Sequence, residues 1–160
     1  MTYPDLTTYG GKLRDFGYAG DQATMNPIST RNLTNEGAVA IGFGTAVARG
    51  SKDDTCKAPT ADGDKIIGIA MRHTTRVYNA SGVASFAKDD AVPILIDGDA
   101  WAVPAENVTR GDAVLSLTAG NGTLGGVTGG AAGAGRVAIP GATWETTTTS
   151  GQVGRIRMNG

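Results

Sequence analysis

The chain has 160 residues, with 14 Lys+Arg, 15 Asp+Glu and a formal net charge of −1. That length fits one domain, and the near-neutral balance argues against a nucleic-acid binder built on a basic surface. One Cys (Cys56) and one His (His73) exclude an internal disulfide, a multi-cysteine zinc site and a cluster of histidine ligands.

The chain opens on Met1-Thr2-Tyr3-Pro4-Asp5-Leu6, without the basic and apolar regions of a secretory leader. The longest uncharged run, 113–135, is too polar and too rich in Gly for a membrane span. Both features predict a product of a reducing, cytosol-like compartment with no membrane partner. Residues 1–35 stand apart. Tyr3, Tyr9, Phe16 and Tyr18 lie in the first 18 residues, interleaved with Leu6, Leu13, Pro4, Gly10, Gly11 and Gly17, yet no helix or strand period is sustained. A disordered tail is poor in aromatics. Aromatics without a period predict an extended arm that orders on another surface, with Tyr3, Leu6, Tyr9, Leu13, Phe16 and Tyr18 as its contact residues.

From residue 36 on, short apolar runs alternate with turn signals. Strands are predicted over 38–41, 45–48, 66–71 and 74–78, with a polar loop over 49–65 and a turn at 79–82. Asp97-Gly98 between two apolar runs predicts a hairpin over 92–103, with Val92, Ile94, Trp101 and Val103 on one buried face. Pro93 lacks a backbone donor, which places its strand at an edge or starts it nearby. Residues 104–107 suit one helical turn and 113–118 a strand. The stretch 119–135 holds eight glycines in 17 residues and reads as a flexible loop without core. Short strands are expected over 136–139 and 142–145, and a last one over 153–158. The fold class is therefore all-β, a jelly-roll or β-barrel-like sandwich over 36–160 with an extended N-terminal arm over 1–35.

Candidate chemistry is sparse. Residues 120–125 match G-x-G-x-x-G, but no helix opens from them to receive a phosphate. Asp62-Gly63-Asp64 and Asp97-Gly98-Asp99 lack the ligand pattern of a calcium loop and read as turns. His73 has no second metal ligand nearby, and Asp53-Asp54 would raise, not lower, the pKa of Cys56. Arg110-Gly111-Asp112 reads as a turn into Ala113-Val114. The sequons at Asn32, Asn79, Asn107 and Asn121 carry little weight without a leader. The stretch 83–112 has a net charge of −4 and could face a basic partner. No catalytic constellation, metal site or cofactor site emerges, so the chain reads as no enzyme.

In order along the chain come Gly42-Phe43-Gly44-Thr45-Ala46-Val47-Ala48-Arg49-Gly50, Gly63-Asp64-Lys65-Ile66-Ile67-Gly68-Ile69-Ala70 and Asp89-Asp90-Ala91-Val92-Pro93-Ile94-Leu95. Asp99-Ala100-Trp101-Ala102-Val103, Gly111-Asp112-Ala113-Val114, Ile139-Pro140-Gly141-Ala142-Thr143-Trp144 and the close at 153–160 follow. With these pieces the sequence resembles the structural cement (capsid decoration) proteins of tailed bacteriophages. The resemblance implies a non-enzymatic β-barrel or jelly-roll protein on the outer surface of the virion, made in the host cytoplasm. Its implied partners are the phage major capsid protein, whose subunit contacts it would stabilise, and further copies of itself, as a homo-oligomer with the trimer favoured. The arm would then contact the capsid or a sister subunit. The alternative is a carbohydrate-binding β module stacking sugars on Trp101, Trp144 or Tyr78.

Overall fold

The computed structural model describes residues 17–73, 85–119 and 124–160. Among these, every regular element is a strand: β1 (Ser29–Asn35), β2 (Ile41–Gly42), β3 (Ala46–Arg49), β4 (Thr55–Lys57), β5 (Ile66–Ala70), β6 (Ser85–Phe86), β7 (Ala91–Ala102), β8 (Ala113–Leu117), β9 (Val127–Thr128), β10 (Arg136–Trp144) and β11 (Gly154–Met158). The all-β, barrel-like architecture expected from the sequence is what the chain adopts.

Hydrogen bonding runs β1-β4-β3-β5-β7, and β7 pairs back with β1, which closes a ring of five strands. Only the β1–β4 pair is parallel within that ring. Beyond the ring, β7 continues into β11, β10, β8 and β9. Side-chain alternation sorts the apolar residues into two cores. Leu33, Val47, Cys56, Ala70, Val92 and Ile94, at least one from each ring strand, fill the barrel, with Ile41 and Phe86 of the small β2–β6 pair packed against them. The other faces of the ring strands, carrying Ala46, Ala48, Ile69 and Leu95, pack against Ala102, Val114, Ala142, Trp144 and Ile156 of the second sheet. Gly68 allows β5 and β7 to approach: a Cβ there would collide with the Leu95 carbonyl.

Several expectations are corrected. Residues 92–103 form no hairpin; 91–102 are one continuous strand. Gly98 does take a left-handed φ of +120°, but Ile28 packs over it and β7 runs on, pairing with β1 and β5 before it and with β11 from it to its end. Trp101 consequently lies off the core face and is only part-buried; Val92 and Ile94 are in the barrel, and Val103 is 37% exposed. The core tryptophan is Trp144, fully buried, with its indole Nε1 donating to the Thr128 carbonyl at 3.0 Å. Pro93 does sit near the start of its strand, just before β5 begins to pair at Ile94.

The supposedly coreless 119–135 stretch contains β9, whose Val127 and Thr128 are buried. The polar 49–65 loop contains β4 with buried Cys56. Residues 104–107 bend without forming a helical turn, and residues 38–40 precede a strand that begins only at Ile41. Strands expected on either side of Pro140-Gly141 join into β10, where Gly141 (φ +68°) sits under the Asn159 carbonyl within a shift of register. The strand expected over 74–78 and the turn over 79–82 lie outside the described residues. Residues 29–35 are a ring strand, with Leu33 and Asn35 buried.

Candidate functional site

The N-terminal segment is tied to the fold where its described part begins. Tyr18 and Asp21 close a turn, with the Asp21 N–H donating to the Tyr18 carbonyl at 2.9 Å and Gly20 at a φ of +86°. The backbone then runs beside the second half of β7. Gly20 N donates to Trp101 O (2.8 Å), Trp101 N to Asp21 O (2.9 Å) and Ala23 N to Asp99 O (3.0 Å). Arg72 secures the turn from the end of β5: its N–H donates to Gly20 O at 2.8 Å, and its guanidinium lies 4.4 Å from the Tyr18 ring centroid and 3.4 Å from Asp21. Gly17 lies on the Trp101 indole, where a Cβ would stand 2.5 Å from a ring carbon. Thr24 donates its hydroxyl to the buried Asp99 carboxylate at 3.0 Å.

This strap presents apolar surface to solvent. Tyr18 is 57% exposed and Met25 fully so. Of the expected arm contacts, the structure thus places Tyr18 at the foot of the segment, one face on Arg72 and the rest in water. Tyr3, Leu6, Tyr9, Leu13 and Phe16 lie outside the described residues.

The remaining sequence motifs are used locally. Asp62 accepts from the Thr118 hydroxyl and from Gly135 N (3.1 Å), so it ties together the two ends of the glycine-rich stretch; these bonds hold its pKa below the ordinary carboxylate range. Burial works against the charge of Asp64, but donation from Lys57 at 2.7 Å, Thr60 N and Ala61 N outweighs it and keeps that pKa low as well. Glu36 is held low by Thr55 and Ser51. Burial, and after it the Glu36 charge, pushes the Cys56 thiol up to about 11, so it is no activated nucleophile. Asp112 accepts from Thr109 N at 2.8 Å, which makes Arg110-Gly111-Asp112 a turn, with Gly111 at a φ of +95°. In the acidic 83–112 stretch, Asp90 caps Ala87 N, Glu106 pairs with Arg136, and Asp99 is buried. Leu124-Gly125 turns into a strand, not a helix; residues 120–123 lie outside the described set. His73 is exposed past β5. Asn32 is exposed on β1 and Asn107 accepts from Ser150 N, while Asn79 and Asn121 are not among the described residues. No group of three His, Cys, Asp or Glu among the described residues could hold a metal ion. Of the aromatics that could stack a sugar, Trp144 is buried, Trp101 is part-buried with Gly17 on its indole, and Tyr78 is outside the described residues.

One structural residue gave no signal in the sequence. Asn35, fully buried, donates to Val39 O, Phe86 O and Ala87 O and accepts from Gly37 N. These partners are up to 52 residues away, so no local pattern could reveal the role.

A solved chain in a structure titled "The capsid of Myoviridae Phage XM1" superposes with a TM-score of 0.71 at 17% identity, over 89% of each chain, which shows the same fold. No curated protein sequence matches. A family model described as "Structural cement protein (E217 gp24/Pam3 gp6)" matches residues 6–159. The match spans nearly the whole chain, from within the aromatic segment to the end of the last strand, and the chain belongs to this structural cement protein family of phages.

Proposed function

We propose that this protein binds the outer surface of a tailed-phage capsid and stabilises contacts between neighbouring major capsid protein subunits. The observation that carries the reading is the family match over residues 6–159. The strap adds a physical reason. It delivers a segment rich in Tyr, Phe and Leu from a point fixed by backbone hydrogen bonds to β7. Tyr and Phe each bury ~150–250 Å², enough for a few of them to anchor an interface. In this reading Tyr3, Leu6, Tyr9, Leu13, Phe16 and Tyr18 contact the capsid or a sister copy. The protein acts as a homo-oligomer, with the trimer favoured, is made in the host cytoplasm and ends in the virion.

The test is decoration of capsids that lack the protein. Purified full-length chain should co-sediment with them and raise the temperature at which they release DNA. A Tyr3→Ala, Tyr9→Ala, Phe16→Ala variant should bind at least tenfold more weakly, since each lost aromatic anchor costs 1 kcal/mol or more. Wild-type protein that leaves capsids bare at saturating concentration would sink the proposal.

A further inference from the structure

A groove of about 360 Å³ opens beside the strap, lined by Phe43, Val103, Pro104, Leu117 and Val127, with Ala19 on its rim. No charged residue is among the described residues that line it. Its volume lies at the small end of the ~300–1,000 Å³ typical of ligand pockets, room for one or two large side chains. Val103, at 37% exposed, is one of the few large apolar residues open to water among the described residues.

We infer that this groove receives an aromatic side chain from the N-terminal segment of a second copy of this chain. The inference rests on the proposed function, which puts many copies side by side on one shell. Three observations select this occupant. The 16 residues before Gly17 carry Tyr3, Leu6, Tyr9, Leu13 and Phe16, and their two acids and two bases cancel, which suits an uncharged apolar groove. The chain passes its own groove at Ala19, and Gly17, where the described part begins, already lies on Trp101, a residue outside the groove lining. The segment is also long enough to reach the groove of another copy: 16 extended residues span up to roughly 50 Å, against a radius of gyration of about 15 Å for a fold of this size. Each copy then offers one segment and one groove, a head-to-tail contact that links neighbours.

A photocrosslink tests this. Full-length chain carrying p-benzoylphenylalanine at position 9 or 16 is mixed with an isotopically heavy copy, and adducts are mapped by mass spectrometry in the concentrated free protein and on decorated particles. The expected result is light-to-heavy adducts on 43–45 and 103–105. Val103→Glu in the receiving copy should lower their yield about tenfold or more, because it puts a charge into an apolar groove. Adducts confined to one copy, adducts only to capsid protein, or none at the groove in either sample would overturn the inference. Decoration is scored on the same particles. Failure of the unsubstituted chain to decorate particles in a parallel sample counts against the proposed function, whereas normal decoration without groove adducts counts against the docking alone.

Discussion

Replacing each tryptophan in turn separates the two faces of the second sheet. Trp144 is completely enclosed; its ring lies against Gly154, and its Nε1 is bonded to the Thr128 carbonyl. Truncation to Ala removes a large core side chain, which costs about 3–5 kcal/mol, and leaves a buried carbonyl without its donor, about 1 kcal/mol more. The sum of about 4–6 kcal/mol approaches the ~5–15 kcal/mol that holds a domain folded, so Trp144→Ala should be largely unfolded or barely soluble. Trp144→Phe keeps most of the ring and should lose about 2 kcal/mol, which makes it the measurable variant. Trp101 lies on the opposite face, part-exposed, with the backbone at Gly17 as a principal cover. Trp101→Ala should cost only about 1–2 kcal/mol, the fraction of its transfer free energy that this cover supplies. Urea unfolding followed by circular dichroism gives all three values. If Trp101→Ala proves as costly as Trp144→Ala, the assignment of faces along β7 is wrong.

Three further outcomes are expected. Deleting residues 124–129 removes β9, the carbonyl that receives the Trp144 indole and the Gly125 carbonyl that receives Ala46 N at 2.7 Å; soluble yield and the β-sheet dichroism should both collapse, and a folded deletion protein would contradict this packing. Cys56, with its thiol pushed up to about 11, should react with iodoacetamide at pH 8 about 100-fold more slowly than an ordinary thiol. Its folded pKa is raised, so its contribution to stability is complete below the unfolded value and is lost as pH rises from about 9 to about 11; Cys56→Ser should flatten that limb of a stability–pH curve. The carboxylates of Glu36, Asp62 and Asp64 have lowered folded pKa values, so their contribution is present above the ordinary carboxylate range and disappears as pH falls through the lowered values. Asp62→Asn should weaken that acid dependence in urea titrations at pH 2–5, and an unchanged slope would show that the Thr118 and Gly135 bonds contribute nothing.

What the sequence made legible was alternation in short buried runs. β3, β5, β8 and β11 appear where Thr45 to Ala48, Ile66 to Met71, Ala113 to Thr118 and Val153 to Met158 predict them, because each puts apolar residues onto a core. Turn chemistry misled where neighbours on both sides overrode it. Asp97-Gly98 has the composition of a two-residue loop, and Gly98 does adopt a positive φ; the strand continues because Ser29 pairs opposite Asp97 and Met158 opposite Gly98. Glycine content misled in the same manner. Eight glycines between 119 and 135 suggested a loop, yet Gly125 is needed because a Cβ there would meet the Ala46 carbonyl at 2.7 Å. β4 was invisible because its three residues sit in a polar run, and its register with β1 is set by a parallel pairing that no local pattern encodes. At the candidate site, Tyr18 was singled out by composition. The anchors of the strap that follows it, Arg72, Asp99 and Trp101, come from parts of the chain 51 or more residues away and emerge only from the fold.

The strand that defeated the local prediction is also the one that explains the site. β7 contributes Val92 and Ile94 to the barrel core and Leu95, Ala100 and Ala102 to the other; β3 and β5 also feed both cores, but β7, at 12 residues, does so over the greatest length. β1, β5 and β11 all bond to it, and the strap adds a further row of backbone bonds at Asp99 and Trp101. Melting β7 would expose both cores at once, so its opening free energy should approach that of global unfolding. A segment tied to such a strand by Gly20, Asp21 and Ala23 starts from the least yielding part of the molecule. The chain thus gains a firm mooring for the base of its N-terminal segment by running one long strand through both halves of the fold and bonding that base along it.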